Sequence, residues 1–289
     1  MDSAKKVPGG RALVLGAGGV AGLGWEMGVV ARLAEFGVEL AQADLIVGTS
    51  AGAVAGAQLA AGLDVRKAYE SQLVPVEGEQ APWTDLLGMG RLIWTARAAR
   101  DDPERFGKWI GQVALAAATV SVAERRDLIA RYLGEVRDWP DRPFLITAVD
   151  AESGEFVGFD STGGVDLVDA VAASTAGPGI RLPPVINGRR YIDGGMRSPV
   201  NADLAVGHDR VVVLGPLIRE GGPVGRLNDE IAELGTGVRV AVLSPDRAAR
   251  KALGEGMRMP DQGRRAAAAR AGWTQAATVA DSIAGVWHG

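Results

Sequence analysis

The pentapeptide GTSAG, Gly48–Gly52, places a serine between glycines at the spacing G-x-S-x-G. The apolar run Asp44–Val47 precedes it and the small-residue run Ala51–Ala61 follows, which predicts a strand, a sharp turn and a helix. A serine on such a turn has strained backbone angles, and the flanking glycines remove side chains that would collide. The pattern therefore predicts Ser50 as a nucleophile, with the positive end of a helix directed at developing negative charge.

A serine nucleophile needs a base. His208 stands at the amino end of a predicted strand, whereas catalytic groups gather at the carboxyl ends of parallel strands, and His288 is the penultimate residue. Asp193 ends a short predicted strand and is followed by Gly194 and Gly195. Asp-Gly is also common in simple turns, but together with an unpartnered serine it predicts Asp193 as the base. A Ser-Asp-His triad through His208 is the alternative.

The glycine-rich run Val14–Gly22 (VLGAGGVAG) has two incompatible interpretations. Its backbone amides can hold the oxyanion of a reacting ester. The segment Gly16–Ala21 also satisfies G-x-G-x-x-A, the fingerprint of a dinucleotide site.

The dinucleotide interpretation predicts an NAD(P)-dependent oxidoreductase. A ribose-binding acid should then close the second strand, but Glu35 falls in the predicted helix Trp25–Phe36 and Glu39 precedes the next strand. This alternative also leaves Ser50 and Asp193 without a role.

Taken together, the three motifs resemble the patatin-like phospholipase family. That family has a glycine-rich oxyanion loop after the first strand, then a G-x-S-x-G elbow, then a downstream D-G-G/A aspartate. The segment Ala173–Val185 (ASTAGPGIRLPPV) looks like the Ala-Ser-x-x-x-Pro block of the family. The resemblance covers Arg11–Leu63 and Pro143–Leu214.

The resemblance implies a three-layer α/β/α fold with a mostly parallel central sheet. It implies a lipid acyl hydrolase of the phospholipase A, lysophospholipase or esterase type, acting through an acyl-enzyme on Ser50 with Asp193 as base and without a cofactor. The resemblance also implies that the oxyanion is held by backbone amides of the loop Gly16, Ala17, Gly18 and Gly19, with those of Gly18 and Gly19 as the expected donors. Four glycines would support the site: Gly48, Gly52, Gly194 and Gly195.

Two residues depart from the family pattern. Ala17 replaces a glycine of the oxyanion loop and Ala21 replaces its basic residue. Modest activity, or a preferred ester less anionic than a phospholipid, is one expected consequence. A catalytically silent lipid-binding scaffold is a further alternative.

Composition limits which other classes of function the protein can have. The chain has 289 residues, a net charge of −4 and no cysteine, which argues against nucleic acid as the main partner and excludes disulfides and thiolate metal sites. No metal site is expected, because there is no histidine pair and no calcium-loop spacing. We predict a single domain over residues 1–289, with a tryptophan-rich helical insertion or cap at about 74–140 and a terminal helix from about 261.

The expected location is the cytoplasm, since the uncharged run Ala12–Trp25 is rich in glycine, unlike a targeting helix. The segment Ala81–Arg100 mixes tryptophan, leucine and arginine. This mixture suits an interfacial helix and equally a cap over the active site, so peripheral membrane contact is a second expectation. Lipids or other esters are the expected substrates, and the oligomeric state is left open.

Overall fold

A computed structural model describes residues 7–74, 103–116, 122–178, 182–218, 224–254, 259 and 261–289. The strands are β1 (Val7–Leu15), β2 (Leu45–Gly48), β3 (Phe144–Asp150), β4 (Phe156–Phe159), β5 (Val185–Ile186), β6 (Arg189–Asp193), β7 (His208–Leu214) and β8 (Arg239–Leu243). The helices are α1 (Gly19–Glu35), α2 (Ala51–Ala60), α3 (Val65–Ser71), α4 (Pro103–Ala116), α5 (Val122–Leu133), α6 (Leu167–Ser174), α7 (Leu227–Glu233), α8 (Arg247–Leu253) and α9 (Arg265–Trp287).

The strands form one mixed sheet in the order β5-β6-β3-β2-β1-β7-β8, with β4 paired to β3. Strands β3, β2, β1, β7 and β8 run parallel, whereas β4, β5 and β6 pair antiparallel. The carboxyl ends of the parallel strands therefore lie at one edge, where ligand sites of open α/β sheets are found. The prediction of a mostly parallel α/β sheet is confirmed.

Alternating side chains of β1 divide the core into two layers. Leu13 and Leu15 pack with α1, α2, α6 and α9 on one face, while Ala12 and Val14 pack with α7 on the other. Helix α4 covers the second face near the ends of β3 and β6, through Phe106, Ile110 and Ala114. Because residues 12–15 of β1 are buried on both faces, this part of the strand is apolar throughout rather than alternating.

Helices α1 and α9 pack closely through glycines. A Cβ on Gly28 would lie 2.1 Å from the carbonyl oxygen of Ala269, and one on Gly272 would lie 2.2 Å from that of Trp25. The Trp25 indole donates to the Gln275 side chain at 3.0 Å. These contacts set α1, and with it the turn that precedes it, against the sheet.

Helix α1 begins at Gly19, earlier than the predicted start at Trp25. The prediction was wrong there because Gly22 and Gly24 were taken as turn residues. These glycines lie where neighbouring groups leave no room for a side chain. A Cβ on Gly22 would meet the Pro216 ring at 3.1 Å, and one on Gly24 would meet the Arg265 carbonyl at 2.5 Å. The second half of the run VLGAGGVAG is therefore helix.

Candidate active site

The turn after β2 has the geometry of a nucleophile elbow. Ser50 has φ 56° and ψ −112° and directly precedes α2, a conformation that L-residues rarely adopt. A Cβ on Gly52 would lie 2.1 Å from the Leu15 carbonyl oxygen, and one on Gly48 would lie 2.6 Å from that of Gly52. Both glycines are therefore required by close backbone approach.

The Ser50 hydroxyl donates a hydrogen bond to Asp193 Oδ2 at 2.6 Å. The register of the sheet explains how residues so distant in sequence meet. Gly48 pairs with Ile146 and Asp193 pairs with Ala148, so both are held at the same end of β3. Ser50 and Asp193 are each only 8% exposed.

The environment of Asp193 is set by burial. Desolvation raises the pKa of its carboxyl from 3.8 to about 6, against the lowering effects of hydrogen bonds from Ser50 and Gly195 and of the positive charge of Arg125. The Gly195 amide donates to Asp193 Oδ1 at 2.8 Å, which leaves Oδ2 for the serine. A carboxylate with this pKa is ionised at neutral pH and is a stronger base than an exposed aspartate.

Ser174 and Thr175, at the end of α6, lie behind Ser50 and support its backbone. The Ser50 amide donates to Ser174 Oγ at 2.9 Å. Thr175 in turn accepts from the Arg125 guanidinium through its carbonyl oxygen at 2.8 Å. The sequence places Ser174 in a family-like block but assigns it no role, and nothing in the sequence singles out Arg125.

A buried polar network fixes Thr49, the residue before Ser50. Thr49 Oγ1 accepts from Thr147 Oγ1 at 2.9 Å and from Asn201 Nδ2 at 3.0 Å. Asn201 itself lies in the left-handed region, with φ 59°, and its amide also donates to the Ser198 carbonyl at 2.7 Å. Sequence reasoning missed this network, since its members come from three separate segments.

The glycine loop after β1 is held by its own backbone. The Gly16 amide donates to the Leu214 carbonyl at 2.9 Å, and the Ala17 amide donates to the Pro199 carbonyl at 2.7 Å. Within the described ranges, no acceptor is bonded to the amides of Gly18 and Gly19. Of the four predicted oxyanion donors, these two have N–H groups available.

The dinucleotide interpretation finds little support in this geometry. Pro216 lies against the loop, where a Cβ on Gly18 would be 2.6 Å from its ring, and the Met259 carbonyl accepts from the Ala21 amide at 3.0 Å. Glu35 ends α1 and pairs with Arg66 at 2.8 Å, so it does not close β2. Of the amides at this helix terminus, that of Ala21 is therefore already bonded, and Pro216 occupies the space beside Gly18.

Neither histidine lies near Ser50. His208 begins β7 opposite Val7, and at about 3.3 Å per residue this end of the strand lies about 20 Å from the edge that holds the serine. His208 Nδ1 lies 3.1 Å from the Ala205 carbonyl oxygen. His288 follows α9, and its carbonyl accepts from Arg210 in the first half of β7.

Ala21, where the family pattern has a basic residue, is fully buried in the core formed by α1 and its neighbours. A long cation at this position would point into apolar surroundings unless the backbone shifted. The packing of α1 therefore explains why the chain has alanine at this position instead of the basic residue of the family pattern.

Of the described residues, no group of three or more histidine, aspartate or glutamate side chains is arranged to hold a metal ion. The described part of the chain contains no helix long and apolar enough to cross a membrane. The interfacial segment Ala81–Arg100 lies outside the described residues.

A nucleophile elbow at the carboxyl edge of a mostly parallel sheet defines an α/β protein of the serine-hydrolase type. The family model "Patatin-like phospholipase" matches residues 13–206, and the chain belongs to this family. Membership supports, in general terms, a serine-dependent lipid acyl hydrolase. No curated protein matches the chain in sequence.

Among solved structures, the chain is similar to VipD from Legionella pneumophila, with 14% identity, a TM-score of 0.46, and coverage of 96% of this chain and 68% of that one. It is also similar to the type III effector protein ExoU, with 16% identity, a TM-score of 0.40, and coverage of 96% and 54%. The chain thus spans about half of the ExoU chain.

Proposed function

We propose that the protein hydrolyses carboxylic esters of lipids through a Ser50–Asp193 dyad and an acyl-enzyme. The observation that carries this proposal is the hydrogen bond of 2.6 Å from the Ser50 hydroxyl to a buried carboxylate. It is supported by the strained elbow and by two available amides at the end of the neighbouring strand β1.

In the first half-reaction, Ser50 Oγ attacks the ester carbonyl carbon while its proton passes to Asp193 Oδ2. The carbonyl oxygen becomes an oxyanion, which the Gly18 and Gly19 amides stabilise. The intermediate then collapses, the bond to the alcohol breaks, and the leaving alkoxide takes the proton from Asp193. The acyl group remains on Ser50.

In the second half-reaction, water attacks the acyl carbon and gives a proton to Asp193. Collapse of this second intermediate releases the carboxylic acid, and Ser50 Oγ takes the proton back. One carboxylate therefore serves as base and acid in each half-reaction, and no histidine is needed.

Phospholipase A, lysophospholipase and simple esterase activities all fit this mechanism. We propose a lipid substrate reached by peripheral contact with a membrane or micelle, in a protein located in the cytoplasm. A panel of p-nitrophenyl esters, lysophospholipids and phospholipids, assayed with and without vesicles, distinguishes the three activities.

A fluorophosphonate probe tests the nucleophile directly. We expect it to label the wild type and a variant with the exposed serine replaced, Ser161→Ala, but not Ser50→Ala. Absence of labelling in a folded wild type contradicts the hydrolase and favours the silent scaffold, whereas micromolar NAD(P)H binding favours the oxidoreductase.

The base is tested by turnover of p-nitrophenyl esters. Asp193→Asn should lower kcat at least about a thousandfold, since general-base and proton-transfer terms of this size are typical. His208→Ala should keep most of the activity. The reverse pattern would restore the triad.

The pKa of Asp193 also sets the pH profile. Its carboxyl must be ionised to accept the serine proton, so kcat/KM should fall below a midpoint near pH 6. A profile flat down to pH 4.5 contradicts Asp193 as the base.

A further inference from the structure

Helix α5 lies in the predicted insertion and contacts both ends of α6 through adjacent arginines. Arg126 forms a salt bridge of 3.1 Å with Asp166, the N-cap residue of α6, and contacts Asp169 in its first turn. Arg125 donates to the carbonyl oxygen of Thr175, the C-cap residue, at 2.8 Å and also to its hydroxyl. Helix α6 is therefore held by α5 at its start and at its end.

The contact at the end of α6 is one residue away from the nucleophile's support. Ser174 precedes Thr175, and its hydroxyl accepts the Ser50 amide at 2.9 Å. Ser50 needs such a partner because its φ of 56° is costly for a residue with a side chain. A shift of Thr175 would move Ser174 and thereby weaken the restraint on the Ser50 backbone.

Arg125 also acts on the other member of the dyad. Its side chain is 6% exposed, so little water screens its charge. The Asp193 amide donates to the carbonyl oxygen of Ala176 at 3.1 Å, and Ala176 follows Thr175, so the Arg125 guanidinium is held close to this residue. Its charge lowers the pKa of Asp193, although less than the hydrogen bonds from Ser50 and Gly195 do.

In the part of the chain that the structure describes, the groups that form hydrogen bonds with the Asp193 carboxyl are uncharged. They are the Ser50 hydroxyl at the start of α2 and the Gly195 amide after β6. The loop from Gly16 to Ala21 brings no charged side chain. Glu26 on α1 is fully buried, and desolvation raises the pKa of its carboxyl well above its usual range.

We propose that Arg125 is a positioning residue that couples the helical insertion to the reaction. Its planar guanidinium, with its fork of N–H donors, fixes the position of Thr175 and, through Ser174, that of the Ser50 backbone. Its positive charge acts on the Asp193 carboxyl. The proposal rests on the proposed dyad and adds to it the means by which the insertion controls its reactivity. Arg125 takes no part in proton transfer.

Two substitutions of Arg125 separate the effect of its guanidinium hydrogen bonds from the effect of its positive charge. Arg125→Met removes both, so the acidic limb of kcat/KM should move to higher pH by about one unit and the plateau above pH 8 should fall about tenfold. Arg125→Lys keeps a point charge but loses the planar fork, so the limb should stay near its wild-type position while the plateau falls. Arg131→Met, an exposed arginine on the same helix, is the matched control and should reproduce the wild type.

A ¹³C NMR titration of the Asp193 carboxyl, assigned by its loss in Asp193→Asn, measures the same pKa without turnover. If the NMR titration of Asp193 in Arg125→Met superposes on that of the wild type, the Arg125 charge does not act on Asp193. If kcat/KM above pH 8 in Arg125→Lys equals the wild-type value, the planar guanidinium is not needed to position Ser50. If fluorophosphonate fails to label Ser50, the proposed function fails, while the NMR shift still tests Arg125. If Arg125→Met does not fold, as judged by circular dichroism, Arg125→Lys still tests the fork.

Discussion

Two glycine-containing turns follow the neighbouring strands β1 and β2, and they are held in different ways. The elbow at Ser50 is fixed by side chains, with Ser174 bonded to its amide and Asn201 to the preceding Thr49. The loop from Gly16 to Gly19 is fixed by backbone bonds to the carbonyls of Leu214 and Pro199. The elbow therefore depends on distant side chains in addition to the close approach of its own backbone, whereas the loop is held by backbone bonds.

The largest expected difference comes from adding a methyl group to each turn. In Gly52→Ala the new Cβ would lie 2.1 Å from a backbone oxygen of β1, which cannot move without displacing the strand, so we expect a cost of about 4 kcal/mol or more and loss of activity. In Gly18→Ala the nearest atom belongs to the Pro216 ring, at 2.6 Å, and about 1–3 kcal/mol is expected. Urea unfolding of both variants measures the difference.

A substitution of Pro216, the residue that the new methyl of Gly18→Ala would contact, tests this difference further. Pro216→Gly should recover part of the loss in Gly18→Ala, because it removes the whole ring, including the Cβ that the new methyl meets at 2.6 Å, and should recover none in Gly52→Ala. Equal rescue of both variants would show that the two turns do not differ in this way.

The next prediction concerns the carboxylate that holds the elbow serine. The folded-state pKa of Asp193, about 6, lies above its usual 3.8, so the native state binds the proton more tightly and loses stability as pH rises through this window. Asp193→Asn should therefore raise the free energy of unfolding at pH 8, by roughly 3 kcal/mol at most. Near pH 4 the gain should vanish.

Asp141→Asn, at an exposed position, is the control for this measurement and should change stability equally little at both pH values. A destabilised Asp193→Asn at pH 8 would show that the carboxylate stabilises the elbow more than its burial costs. Denaturant unfolding at the two pH values decides between these outcomes.

The side-chain network under the elbow gives a smaller expected effect. Thr49→Val keeps the shape of the residue but leaves the Thr147 hydroxyl and the Asn201 amide without their shared acceptor. A cost of about 1–3 kcal/mol is expected, with a fall in kcat at unchanged KM because Ser50 loses its fixed position. Thr274→Val, on the exposed side of α9, should change stability by less than about 0.5 kcal/mol.

The smallest effect is expected in the loop. Ala17 keeps its amide bonded to the Pro199 carbonyl whatever its side chain, so Ala17→Gly should cost about 0.5–1 kcal/mol through chain entropy alone. Ester turnover should stay within about threefold of the wild type, since the Gly18 and Gly19 amides are unchanged. A large gain in kcat would instead show that the Ala17 methyl obstructs the substrate.

The difference between local motifs and contacts between distant segments explains which parts of the site the sequence predicts. The strand, elbow and helix around Ser50 are local, so one motif and its flanks predict the elbow conformation that the structure has. Asp193 is suggested only in combination with Ser50, because an Asp-Gly pair alone is also typical of a turn. Ser174, Asn201 and Arg125 act through contacts between segments far apart in the sequence, and no local pattern reports such contacts.

The start of α1 was missed for a related reason. Glycine usually interrupts a helix, yet Gly22, Gly24 and Gly28 lie within α1 because Pro216 and the backbone of α9 approach there. The partners that require these glycines lie more than 180 residues further along the chain.

The packing of α1 against α9 also bears on where this fold can be divided. The family match ends at residue 206, but a fragment ending there would lose β7, which pairs with β1 and accepts the Gly16 amide, and α9, which covers the glycine face of α1. Trp25, fully buried in the intact chain, would lose the partner of its indole. We expect such a fragment to aggregate rather than fold, so that the shortest piece that folds should extend beyond the family match, through α9.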